Sequence, residues 1–136
     1  MYNFGYQKKL FELYIFKFYN KVTDEDILKY EENIQTLSKL NNKFYVVFDI
    51  RNITDISLEN FISMSKKLFN NTKLIENKMD GCAIIVSSSY INTIKVVFNI
   101  IKTKICNYLV TKEIDEAFIY LNKLKSSKFE NINLLT

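Results

Sequence analysis

The 136-residue sequence contains no histidine, no tryptophan and no proline, and only two glycines and two cysteines. Without histidine, Ser-His-Asp and Cys-His nucleophiles are excluded, together with every imidazole-ligated metal centre. Gly5 and Gly81 cannot furnish G-x-x-x-x-G-K-[ST], G-x-G-x-x-G or G-x-S-x-G, so phosphate loops and nucleophile elbows of those kinds are absent. Cys82 and Cys106 adjoin apolar segments, where a thiol acts as a small hydrophobe; a redox or metal role is the alternative. No apolar run approaches the ~18–20 residues of a membrane span. The first residues, MYNFG, lack the basic stretch and apolar run of a secretory signal. No membrane partner and a reducing, cytoplasmic setting are therefore expected. A net charge of +4, spread over both halves, forms no basic stripe, so no nucleic-acid partner is expected.

What is present is apolar and aromatic. Apolar residues make up 48% and aromatics 15%, with 11 Phe and 9 Tyr, enough to hold one core without disulfides. Residues 1–125 read as a single domain and residues 126–136 as a polar tail. Arg51 is the only arginine among 19 basic residues. With abundant Ile and Asn, that bias points to an AT-rich genome: a low-GC bacterium, a protist or a large DNA virus.

Lacking proline and glycine as punctuation, the elements follow from periodicity. Residues 2–6 and 10–18 (LFELYIFKF) read as two strands joined across a short turn. Thr23 opens a helix as cap, with Asp26 at the capping-box position and Ile27, Tyr30, Ile34 and Leu37 as its buried stripe. Residues 44–50 (FYVVFDI) form a continuous apolar run, as a strand covered on both faces requires. Ser57 caps a second helix with Leu58, Phe61, Ile62, Ser65, Leu68 and Phe69 inward. Residues 82–87 (CAIIVS) and 105–110 (ICNYLV) are further strands. Between them Ser89 opens a third helix with Ile91, Ile94, Val97, Phe98 and Ile101 inward. Residues 111–124 close the chain as a helix, with Ile114, Ala117, Phe118, Leu121 and Leu124 on one face. The order β-β-α-β-α-β-α-β-α predicts an α/β fold: a mixed, mostly parallel five-stranded sheet with flanking helices.

Three stretches carry a family resemblance. VVFDIRNITDIS (residues 46–57), CAIIVS (82–87) and TKEIDEAFIYL (111–121) resemble the STAS superfamily, most closely its SpoIIAA-like branch. The likeness implies a mixed sheet with flanking helices and a non-enzymatic, protein-interaction role. Some members are switched by phosphorylation of a serine at the start of the second helix, which makes Ser57 the corresponding phosphoacceptor. Here Ser57-Leu58-Glu59-Asn60 replaces the Asp-Ser-x-Gly of those members, and Ser57 also reads as an ordinary N-cap.

Two surfaces follow from the residues themselves. At the carboxyl ends of the middle strands lie Arg51, Ser57, Ser87, Ser88 and Ser89, where two helix N-termini and one guanidinium could hold an anion. On the third helix, Asn92, Lys95, Asn99 and Lys102 form a narrow polar stripe that leaves Val96 and Ile100 available to a partner. Asp49 and Asp55 are the one carboxylate pair with an acid–base or Mg²⁺ reading; their plain reading is a strand end and a turn. No cofactor and no metal site are expected. The reading is a non-catalytic interaction module that self-associates, as a homodimer, or docks a protein. The alternatives are a carrier of a small anionic or lipid-like ligand and, behind it, a small Asp-based hydrolase.

Overall fold

The structure, a computed structural model, describes residues 1–7, 12–101 and 107–128, of which 126–128 by backbone alone. The first strand, β1 (Tyr2–Gln7), runs antiparallel to β2 (Leu13–Asn20), with Tyr2 opposite Phe18 and Gln7 opposite Leu13. The chain continues through α1 (Asp24–Ser38), β3 (Phe44–Ile53), α2 (Leu58–Asn71), β4 (Met79–Ile85), α3 (Ile91–Ile101), β5 (Tyr108–Thr111) and α4 (Ile114–Lys128). Strands β2 to β5 pair in parallel, and the sheet order is β1-β2-β3-β4-β5. This is the mixed, mostly parallel α/β sheet that the sequence predicts.

Because each crossover advances to the next strand in the same direction with the same hand, α1, α2 and α3 fall on one face. Their inward residues join Phe16, Phe18, Phe44, Val46, Phe48, Ile50, Cys82, Ile84 and Val86 in the larger core. Alternate strand residues point the other way. Leu13, Tyr45, Val47, Ala83 and Ile85 meet Ala117 and Leu121 of α4 in a second, smaller core. Gly81 is where α4 comes closest: a Cβ there would stand 2.7 Å from Leu124 Cδ1 and 3.0 Å from Tyr45 Cδ1.

The helix ends are set by local chemistry. Thr23 accepts from the Asp26 backbone while Asp26 accepts from the Thr23 backbone, a complete capping box. Ser57 caps α2 by accepting from the Asn60 N–H at 3.2 Å. The Lys78 ammonium donates to the carbonyls of Ser38, the last residue of α1, and of Leu40 just past it, placing a cation at the negative end of that helix.

Several boundaries differ from expectation. Strand β2 begins at Leu13; Leu10 and Phe11 lie outside the described residues, as do Lys102, Ile105 and Cys106. Ser89 does not open α3. Residues Ser88–Tyr90 form a 3-10 turn, Ser87 makes no capping bond to it, and the helix proper starts at Ile91. Leu58 and Ile114 are exposed instead of inward, at 54% and 39%. Each is the first residue of its helix, where the chain has not yet come down onto the sheet. The helix that closes the chain runs past residue 125 to Lys128.

Candidate functional site

The residues expected to hold an anion are divided between the two faces. Arg51 lies on β3 two residues after Asp49, so both side chains project on the α4 face. Its guanidinium clamps Asp49, Nε 3.2 Å from Oδ1 and Nη2 3.2 Å from Oδ2, and the Arg51 backbone N–H reaches Oδ1 at 3.4 Å. Asp49 is 5% exposed, and an ionised carboxylate that deep needs such a partner. Ser57 and the Ser88–Tyr90 turn lead instead into α2 and α3, which pack on the opposite face; Tyr90 stacks on Phe61 of α2 with ring centroids 4.1 Å apart. Ser87 is half-buried, and Ser88 and Ser89 are exposed. Strand order never reverses among the described strands, so the sheet has no topological switch point, the place where open α/β sheets gather ligands at the carboxyl ends of their strands. The hollow that Arg51 lines is shared with β2 residues and with none of the four serines.

The two acids expected as a pair are likewise divided. Asp49 is committed to Arg51, whereas Asp55 is an exposed turn residue with φ of 53°, a left-handed conformation that aspartate tolerates. Among the described residues, no group of three or more Cys, Asp or Glu is placed to hold a metal ion. Cys82 is fully buried, and burial pushes its thiol well above the ordinary value, so it behaves as core. Among the described residues no helix is long and apolar enough to cross a membrane.

Helix α3 presents a different surface. Ile94, Val97, Phe98 and Ile101 are buried, while Val96 and Ile100 stand 55% and 53% exposed, with Asn92, Lys95 and Asn99 exposed beside them. Between α3 and α2 runs a groove of about 290 Å³ lined by Ile62, Asn92, Thr93, Val96, Val97 and Ile100. Four of those six are large aliphatic residues. A second region, missed from the sequence, is Lys17. It is the one charge on the strand face shared with Leu13 and Ile15, and that break in alternation was the available signal.

No family model matches the sequence, and no curated protein matches it. Among solved structures, an uncharacterised protein of the DUF3478 family from Shewanella loihica PV-4, described as having a SpoIIAA-like fold, is similar. The match covers 89% of this chain and 92% of that one, with a TM-score of 0.61 and 14% sequence identity. The chain has a SpoIIAA-like fold. At that identity the likeness extends to backbone architecture and not to the residues of a site.

Proposed function

We propose that this SpoIIAA-like domain is a non-catalytic interaction module that docks a protein, a second copy of the chain first among candidates, through the α2–α3 groove. One observation carries the reading: Val96 and Ile100, one turn apart on α3, are more than half exposed beside an apolar groove. Aliphatic residues in such a stripe leave water when a partner covers them, each contributing about 1.5–3 kcal/mol if fully buried. Lys95 and Asn99 supply the polar rim that interfaces carry around their apolar centre. A self-complementary contact between two α3 helices would be isologous, with Val96 and Ile100 present on both sides. Asp49's commitment to Arg51 leaves the alternative Asp-based hydrolase without a free carboxylate pair.

The test is native mass spectrometry of the purified chain beside Val96→Asp and Ile100→Asp. A dimer that becomes monomer in both variants, with unchanged thermal unfolding, supports the reading. A monomer at micromolar concentration would remove self-association. A dimer indifferent to both substitutions would remove α3 as its surface.

A further inference from the structure

The carboxyl ends of β2 and β3 hold a second feature, on the face opposite the α2–α3 groove. The register between these strands slips: Lys17 is opposite Asp49, but Tyr19 is opposite Asn52, so β3 carries one residue more than β2 over that step. Ile50 and Ile53 both pack with the larger core, which leaves Arg51 and Asn52 together outside it. Irregularities of this kind re-aim side chains at the ends of strands. Beside the slip lies an open hollow of about 450 Å³ lined by Lys17, Tyr19, Asn20, Arg51, Asn52, Ile53 and Thr54.

We infer that this hollow binds a small oxyanion, the phosphoryl or carboxylate group of a compact molecule. Two cations, Lys17 and Arg51, line it. Asp49, buried behind Arg51, accepts a hydrogen bond from Nη2 and lies 3.2 Å from Nε, which is itself buried and makes no hydrogen bond. Of the five N–H donors of an arginine, those of Nη1 and one of Nη2 remain for a ligand, in a planar fork that suits an oxyanion. The Lys17 ammonium sits 5.6 Å from the centroid of the Tyr19 ring, and among the described residues no carboxylate pairs with it. With Asp49 offsetting one of the two positive charges, the site keeps a net charge of +1, which one anionic group neutralises. The exposed side chains of Asn52 and Thr54 add neutral polar groups at the rim. The site is separate from the α3 surface, so either can fail without the other.

The experiment is thermal unfolding of the full chain in sodium phosphate or sodium acetate, each against sodium chloride at matched ionic strength. A ligand held by the folded state alone raises the melting temperature saturably. Phosphate is expected to raise it beyond the chloride control at millimolar concentration. Lys17→Gln should weaken the apparent affinity at least tenfold while leaving the melting temperature in chloride unchanged. Arg51→Lys, which keeps the charge and loses the fork, should weaken it as well. A rise with phosphate alone assigns a phosphoryl ligand, and a rise with acetate as well assigns the carboxylate class. No rise above chloride with either anion, or an equal rise in Lys17→Gln, overturns the inference.

Discussion

The two faces of the one sheet are built on different terms. The face under α1, α2 and α3 is packed with rings. Phe16 stacks on Phe48 at 5.2 Å, Phe48 meets Phe69 edge-on at 5.4 Å, and Tyr30 stands over Phe16 and Phe18 at 5.2 and 5.4 Å. The face under α4 holds mainly aliphatic side chains and Tyr45. On β2 and β3 that apolar cluster stops at Ile15 and Val47; toward the carboxyl ends of these two strands come Lys17, Asp49 and Arg51. A strand alternates its residues between these two environments, so neighbours on β3 serve opposite purposes. Ring packing is thus concentrated on the three-helix face, while the carboxyl end of the other face carries charge.

The sharpest way to break that comparison is to truncate adjacent residues of β3. Phe48→Ala removes a ring with 0% exposure that touches aromatic partners on several elements, and is expected to cost about 3–5 kcal/mol. Val47→Ala, one residue away at 2% exposure and facing α4, is expected to cost about 2 kcal/mol. Urea unfolding of both variants reads the difference directly. Equal losses would show that the two cores contribute alike and that the asymmetry is one of composition only.

How much of this was legible beforehand depends on whether the signal was local. The apolar run 44–50 announces a strand covered twice, and Thr23 and Ser57 sit where their caps are observed. These follow from residues within one turn of each other. The division of Arg51 from the serines was not legible, because it depends on which strands are neighbours and on which face each helix lands. Strand pairing joins residues some thirty positions apart, such as Leu13 and Tyr45, and periodicity carries no information about it. The Asp49–Arg51 clamp was half-legible: their spacing of two puts them on one face, but the slip that sets Asn52 beside them is a property of the pairing. The start of α3 was misplaced because Ser87-Ser88-Ser89 offers several equivalent caps, and Tyr90's stacking on Phe61, a tertiary contact, decides among the possible starts.

A smaller effect tests how tightly α4 closes its face. Gly81→Val would place Cβ at 2.7 Å from Leu124 Cδ1 and close to the Tyr45 ring, with two methyl groups beyond. Overpacking of this kind costs about 1–3 kcal/mol. Leu124→Ala relieves one of the two clashes, so the double variant should be more stable than the sum of the single losses predicts, a coupling that a double-mutant cycle measures. Strict additivity would mean that α4 shifts away freely, and that its face is loosely closed along its whole length.

The smallest effect distinguishes the faces by pH. Burial pushes the phenol of Tyr45, on the α4 face, up to about 12, with Asp80 adding to the shift. On the three-helix face burial raises Tyr2 and Tyr30 further, Tyr30 while it donates to the Leu68 carbonyl at 2.7 Å. In the unfolded chain a tyrosine titrates near 10. A folded-state value above that means the native state keeps a proton that the unfolded state gives up. The contribution is therefore complete below pH ~10 and is lost as pH rises through the folded value. Urea midpoints measured from pH 8 to 12 should fall above pH 10, and Tyr45→Phe should fall less steeply than the parent once each is scaled to its own value at pH 8. Tyr30→Phe should flatten the limb at least as much, and should also lower stability at neutral pH by about 1 kcal/mol, through the hydrogen bond it gives up. Lysine deprotonation is common to all three proteins and cancels in the comparison. A limb as steep in Tyr45→Phe as in the parent would place that hydroxyl in water, and the α4 face would then be open along β3 as far as Tyr45.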